Sequence, residues 1–415
     1  MNFTGIIILR KNSRKYVDQI KSASTVFSRL ILISEDNSLS EKVNNLSFIK
    51  SEKNSNFEHY IKIFSAILSK NANYILLTFL ESDLILASEI SGTLNIPGPQ
   101  LNLSQISRNK LLQRNLLIEN NLPTPSYVYI KDKSELTNNT NSIVFPAITK
   151  PTNSSLSLGV RLVKNKHELI GAFNEAELIN KNKNYFENSE FGILIEEYLP
   201  GEEITVDGVI ISGKFYLGGI HNKKKNNGPT FEEDLYSLPF KHPELEREIT
   251  EIISKLTSSL SINNSLFNAE LRQDVSGKFK IVEFSNRLSG AYCHRHIKYV
   301  YTIDLVALYC KAICGIKIKN DDLLRSNPRC STCTKWIFGT GIVKKNSPGD
   351  IINSPYFDDY YKITLPDHVV NNLSGINCIA RFSLKGPYDS INDVLNLENE
   401  AVELEKLADI KVSSD

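Results

Sequence analysis

At 415 residues the chain is longer than one hydrophobic core sustains, so two or three domains are expected. Apolar residues at 41% and charged residues at 23% are ordinary globular proportions, which excludes wholesale disorder. A formal net charge of +1 excludes a broad nucleic-acid-attracting field, and the short run Lys223-Lys224-Lys225 does not create one.

Residues 1–95 alternate short β-branched runs with longer amphipathic ones. Strands are predicted at Gly5–Leu9, Leu30–Ser34, Leu46–Lys50 and Tyr74–Thr78, and helices around Tyr16–Lys21, Phe57–Lys70 and Leu84–Leu94. That alternation predicts an α/β fold with a parallel sheet covered by helices on both faces. A dinucleotide fingerprint is absent, because Leu9-Arg10-Lys11-Asn12-Ser13 follows the first strand where Gly-x-Gly-x-x-Gly would stand. Ile96-Pro97-Gly98-Pro99 breaks regular structure and marks a first boundary. A helix from Ser104 or Ser107 to Asn120 follows, then strands, hairpins and turns, then a helix over Ile303–Cys314. Beyond the polar stretch Gly315–Pro328 the tail is strand-rich, which places the domains at 1–103, 104–318 and 319–415.

The longest apolar runs are strand-sized, far short of the roughly 20 residues a membrane helix requires. No basic segment followed by an apolar core and a cleavage site opens the chain, so a cytoplasmic protein is expected. Six cysteines are too few for a disulfide scaffold and are expected as thiols. Cys330 and Cys333 lack the second ligand pair of a zinc site, and Cys310 and Cys314 share one helix face.

Paired carboxylates are the strongest local chemistry. Phe267–Val275 and Lys278–Arg287 flank Ser276-Gly277 as two β-rich runs, a hairpin pattern. With those two as the loop, Glu270 and Glu283 stand equally far from the turn and face each other. Like charges directly opposite destabilise a sheet, and a shared cation resolves that; Mg2+ favours a few carboxylates with phosphate oxygens. By the same alternation Asn268, Arg272, Ile281 and Ser285 project from the same face. A solvated hairpin with two surface glutamates remains the alternative, and a three-residue loop would break the register.

Two further segments suit a nucleotide. A strand ending at Lys150 feeds a loop of small residues, Ser154, Ser155, Ser157 and Gly159, which suits phosphate oxygens, although Leu156 and Leu158 are bulky and no Walker motif is present. Glu196-Glu197-Tyr198-Leu199-Pro200-Gly201-Glu202-Glu203 joins an apolar strand to an alternating one; its backbone can read an adenine edge and a later carboxylate can accept from ribose hydroxyls. In isolation each also reads as an ordinary turn.

Taken in order, Asn109-Lys110, Lys150 with its serine loop, Glu196–Glu203, Glu270-Leu-Arg272 and Glu283-Phe-Ser-Asn-Arg287 resemble the ATP-grasp superfamily. Within it they are similar to the carboxylate-amine ligases, of the L-amino acid ligase kind. The resemblance covers about residues 105–315. It implies an ATP-grasp fold with an N-terminal Rossmann-like parallel-sheet domain and a small strand-rich C-terminal domain. It further implies ATP with Mg2+ or Mn2+, small carboxylate and amine substrates, and a homodimer as in many relatives, with neither nucleic acid nor membrane as a partner. Carried over by match, Lys110 and Lys150 contact phosphates and the loop Ser154–Gly159 closes over them. Glu196, Glu197, Tyr198 and Leu199 hold adenine, and Glu203 holds the ribose. Glu270 and Glu283 bind metal, and Arg287 and Arg272 stabilise the acyl phosphate. The family's Glu-x-Asn-x-Arg is here Glu283-Phe-Ser285-Asn286-Arg287, which leaves the third metal ligand between Ser285 and Asn286.

The implied reaction is amide formation through an acyl phosphate, releasing ADP and phosphate. A carboxyphosphate or formyl-phosphate enzyme and a non-catalytic ATP-binding protein are the alternatives. His221, Asn222, Lys223, Ser289, Gly290 and Glu81 are placed by the same resemblance or by strand position near substrate, whereas His294 and His296 also suit a structural role.

Overall fold

The computed structural model describes residues 2–413 apart from 12, 37–38, 40–42, 54, 70–71, 140–141, 155–157, 182–191, 226–232 and 371–376. Strands β1 (Phe3–Ile8), β2 (Arg29–Ser34), β3 (Leu46–Lys50) and β4 (Asn73–Leu77) form a parallel sheet in the order β3-β2-β1-β4. Alternation along β1 sends Ile6 and Ile8 to one face and Ile7, with Leu9 beyond the strand, to the other. The first pair packs with Tyr60 and Phe64 of α2 (Phe57–Ile67) and Ala87 and Ile90 of α3 (Leu84–Leu94). The second packs with Ile20 of α1 (Val17–Ser24) and with residues far along the chain, among them Ile297 and Val306. That second cluster runs without a break from the parallel sheet into the rest of the molecule.

The predicted helix beginning at Ser104 or Ser107 is two helices, α4 (Leu101–Ser107) and α5 (Lys110–Glu119). Asn109 explains the break: its extended backbone stops α4, and its side chain accepts from Leu111 N (3.0 Å) and Leu112 N (3.2 Å) as the cap of α5. Lys110 is thereby fixed at the first helical position.

A four-stranded antiparallel sheet follows in the order β5-β8-β6-β7, built from β5 (Tyr127–Ile130), β6 (Ala147–Pro151), β7 (Arg161–Val163) and β8 (Ile193–Glu197). Between β5 and β6 lies α6 (Lys133–Asn139), and α7 (Lys166–Lys181) covers the sheet through Leu169, Phe173 and Ala176. The centre of the molecule is a sheet of eight strands. Its first part holds β9 (Glu203–Ile211), β10 (Lys214–Lys225), β11 (Glu233–Leu238), β12 (Ser265–Gln273) and β13 (Phe279–Ser285). Helix α8 (Glu246–Ser259) buries Ile249, Ile253 and Leu256 against it.

Helices α9 (Cys293–Tyr301) and α10 (Leu305–Ile313) lead into the tail. There β14 (Ser331–Phe338), β16 (Phe357–Lys362) and β18 (Cys378–Gly386) lengthen the central sheet, because β14 pairs with β11 and the order is β13-β12-β9-β10-β11-β14-β18-β16. β15 (Gly341–Ser347), β17 (Val369–Val370) and β19 (Asp409–Ser413) make a separate three-stranded sheet, and α11 (Ile391–Glu405) packs on β14 and β18. All six cysteines are buried thiols. Among the described residues no helix is long and apolar enough to cross a membrane.

Candidate functional site

The hairpin β12–β13 differs from its expected form in a way that preserves the chemistry. Its loop is three residues, 275–277, because Asp274 N donates to Lys278 O at 2.9 Å. This shifts the register by one, so that Leu271 pairs with Ile281 and Arg272 with Lys280. A bulge at Val282 then restores it, and Glu270 faces Glu283 while Asn268 faces Ser285. The carbonyl freed by the bulge accepts from Arg114 Nη2.

Arg114, on α5, went unnoticed in the sequence and is the hub of the nucleotide side. It is fully buried and bidentate to Glu196, with Nε 2.8 Å from Oε1 and Nη2 3.2 Å from Oε2. Lys150 Nζ closes on the same carboxylate at 2.6 Å. Burial pushes the Glu196 carboxyl up, but Arg114 and Lys150 outweigh it and hold the group below the ordinary value. The Lys150 ammonium is pushed down, first by burial, with Glu196 opposing. Glu196 therefore anchors the two layers to each other. Its backbone is engaged on both sides, opposite Tyr127 and Ile148, so only the connector 198–202 remains outside that sheet. Glu197 turns outward to Lys280 Nζ at 2.8 Å and to Ser126.

Lys110 Nζ donates to Ser154 O at 2.6 Å and reaches Glu283 Oε1 at 3.3 Å, while its backbone N–H donates to Thr152 O. The loop after β6 is thus tied to the carboxylate hairpin by one side chain. Gly159 has φ of +76°, a left-handed backbone that glycine adopts without strain. Ser155 and Ser157 lie outside the described residues.

Lys223 Nζ sits 2.6 Å from Glu203 and 3.4 Å from Glu270. Arg272 Nη1 is 3.4 Å from Glu203 and its guanidinium lies over the Tyr198 ring. Burial raises the Glu203 carboxyl, and Lys223 and Arg272 override it, leaving the group lowered. Arg272 therefore stands with the ribose candidate Glu203. Leu199, within the connector, is buried. Arg287 stands elsewhere, bonded to Glu81 through Nε at 3.2 Å and through Nη2, with Arg108 on the other carboxylate oxygen. Glu81 is held low against its burial by Arg287 and Arg108. The 3-10 turn at Glu81–Asp83 projects from the parallel sheet, so the first and central layers meet at this carboxylate.

Ser285 and Asn286 part company. Ser285 alternates onto the face of Glu283, and its Oγ is buried without a partner. Asn286 is held by helix α4, with Nδ2 donating to Ser104 Oγ at 3.0 Å and its backbone N–H donating to Ser107 Oγ, while its Oδ1, like Ser285 Oγ, is buried without a partner. The donor set Glu270, Glu283 and Ser285 consists of hard oxygens on one face, two of them partly exposed carboxylates, and it suits a small hard cation.

The residues expected near substrate divide as well. Asn222 spends its amide on Ser237 O, Pro239 O and Lys241 N, and so serves the β10–β11 junction. His221 is fully buried with Asp207 and Cys293 nearby, its Nδ1 3.9 Å from Asp207 Oδ2. Burial pushes His221 down to about 3 and Asp207 up to about 6, against the Ser289 N–H bonded to Asp207 Oδ1 at 2.7 Å. His294 and His296 are likewise pushed down by burial; their rings contact Gln19 and Thr334.

A small antiparallel sheet and a large one bring lysines and opposed carboxylates onto a common cleft, which is the arrangement of an ATP-grasp fold. The family model for the ATP-grasp domain matches residues 143–295. Dapdiamide A synthase of Enterobacter agglomerans is 28% identical over 149 residues, 35% of this chain and 34% of its own. Alanine–anticapsin ligase of Bacillus amyloliquefaciens is 25% identical over 184 residues, 41% of this chain and 39% of its own. The matches thus span little more than a third of those relatives. The crystal structure of L-amino acid ligase from Bacillus licheniformis superposes with a TM-score of 0.83 at 19% identity, covering 100% of this chain and 99% of that one.

Proposed function

We propose that the protein is an ATP-dependent carboxylate-amine ligase, joining an amino-acid-like carboxylate to an amine through an acyl phosphate with release of ADP and phosphate. The observation that carries this is Glu270 opposed to Glu283 across a bulged hairpin, with Lys110 bridging Glu283 to the loop after Lys150. The domains divide at 103 and 318, and the chain works in the cytoplasm as a homodimer.

In this reading Lys110 and Lys150 hold phosphate oxygens, and the loop Ser154, Ser155, Ser157 and Gly159 covers them. The connector from Glu196 and Glu197 through Tyr198 and Leu199 frames adenine, and Glu203 accepts from the ribose. Glu270, Glu283 and Ser285 would hold magnesium or manganese, which would supply positive charge beside the phosphates. Arg287, aligned by Glu81, orients the attacking carboxylate and stabilises the acyl phosphate; Arg272 supports the nucleotide end. Asn286 fixes the strand end against α4, and its unpartnered Oδ1 is the other candidate for the third ligand position. Catalysis is positioning and charge neutralisation in a closed cleft, with the amine attacking the acyl carbon and phosphate leaving.

The test is Mg2+-dependent release of ADP and phosphate across pairs of amino acids and small carboxylates, with amide product identified by mass. Turnover that requires both partners is expected. Turnover with bicarbonate or formate alone would move the chain to the carboxyphosphate or formyl-phosphate class, AMP release would sink the acyl phosphate, and Mg-ATP binding without turnover would leave a binding protein.

A further inference from the structure

The pairing of β14, β18 and β16 sets Trp336, Arg381 and Tyr361 side by side across three strands. Arg381 is 1% exposed, and its guanidinium carbon lies 3.8 Å from the Tyr292 ring centroid, 5.0 Å from Tyr361 and 5.4 Å from Trp336. Removing a charge from water is costly unless an opposite charge or hydrogen bonds compensate it. Arg114 and Arg295 each also keep one buried nitrogen without a partner, but their charges are compensated: Arg114 has Glu196, and Arg295 has Asp18, Asp358 and Asp359. Arg381 lacks such compensation. Among the described residues no carboxylate lies within ion-pair distance of it, and its Nε is buried without a hydrogen-bond partner. The aromatic rings offset part of the charge and the Tyr292 side chain is hydrogen-bonded to the guanidinium, yet Nε lies in its plane and calls for an acceptor. The indole N–H of Trp336 is also buried without an acceptor.

The surroundings add to this. Tyr292 follows Arg287 in a turn where Ala291 and Tyr292 both have left-handed backbones, φ 53° and 62°, conformations rare outside glycine that cluster at functional sites. Lys15, from the turn before α1, places its ammonium 5.7 Å from the Tyr16 ring and has no carboxylate within ion-pair distance among the described residues. Burial first, then Arg381 and Arg287, push Lys15 down to about 8, so the three cations share one field. Glu81, the carboxylate whose charge acts on Lys15, is already shared by Arg287 and Arg108.

We infer that Arg381 and Lys15, with the Trp336 indole, form a second anion subsite in the cleft, which takes a substrate carboxylate other than the one that is phosphorylated. That carboxylate belongs either to the amine acceptor, as an α-carboxylate, or to the side chain of a dicarboxylic donor. Its identity as a substrate group rests on the ligase reading; the subsite itself does not.

The full chain is assayed for ADP release with matched pairs, alanine against alaninamide as acceptor and glutamate against glutamine as donor. Wild type is expected to favour the carboxylate member of one pair by about tenfold or more in kcat/KM, and the pair affected names the source. Arg381→Gln brings that ratio to within about twofold while the Mg-ATP dissociation constant stays within about twofold; Arg381→Lys restores part of the ratio. Lys15→Gln, at a half-buried position, moves it the same way by about threefold and carries the test if Arg381→Gln does not fold. Ratios unchanged in both variants would overturn the subsite. Should no pair support ADP release, the ligase reading fails separately. Calorimetry with succinate and the Mg-ADP-loaded protein then decides: heat of binding lost in Arg381→Gln keeps the subsite, and no binding to wild type ends it.

Discussion

Glu196 and Glu283 are on strands of different sheets facing one cleft, and they are built for opposite ends. Glu196 is sealed, its two oxygens taken by Arg114 and Lys150. Glu283 keeps its side chain 29% exposed, touched on one oxygen by Lys110 at 3.3 Å. A fully paired, dry carboxylate holds structure together and has no capacity for a ligand; a partly paired, wet one has that capacity. Burial and pairing, more than residue type, thus separate scaffold from site.

The largest expected effect sharpens that division. Glu283→Gln should cut Mg2+-dependent ADP release by about 10^3–10^4-fold, ~4–5.5 kcal/mol of transition-state stabilisation, while stability in urea changes by less than about 1 kcal/mol. A variant that unfolds early instead would make Glu283 scaffold. Glu196→Gln should act first on stability, because it leaves Arg114 and Lys150 facing an uncharged partner in a dry site. A loss of roughly 3–4 kcal/mol in chemical denaturation is expected. A stable Glu196→Gln protein defective only in turnover would erase the contrast.

Much of this was legible in the sequence. Short apolar β-branched runs between amphipathic ones located the four parallel strands to within about two residues. The pairing of Glu270 with Glu283 was also legible, though by a route with two compensating departures, a longer loop and a bulge, that no local pattern announces. Arg114 was invisible because a lone arginine in an amphipathic helix has no signature; only the fold brings Glu196 to it from another sheet. The continuation of the central sheet into the tail depends on β11 meeting β14, a pairing almost a hundred residues apart that short-range signals do not encode. Arg381 was hidden for the same reason. Its aromatic neighbours come from Tyr292, Trp336 and Tyr361, each on a separate element.

Asp207 extends the comparison to a carboxylate with burial but no paired cation. It is fully buried, and its Oδ2 has no hydrogen-bond partner. Its pKa rises from 3.8 to about 6, chiefly through burial; Ser289 opposes, as do the more distant charges of Arg287 and Lys223. A folded-state pKa above the unfolded one means that the folded chain holds the proton more tightly. The stabilisation from protonation is therefore complete below pH 3.8 and is lost as pH rises through about 6. Relative to Asp207→Asn, which cannot ionise, wild type should gain on the order of 2–3 kcal/mol between about pH 8 and pH 4. Urea unfolding of both proteins across that range measures the difference and cancels the titration of every other group. His221, pushed down to about 3, works in the opposite sense but is common to both chains. Parallel profiles would show that Asp207 is charged at neutral pH in the folded protein, and that a nearby cation or water compensates it as Arg114 and Lys150 compensate Glu196.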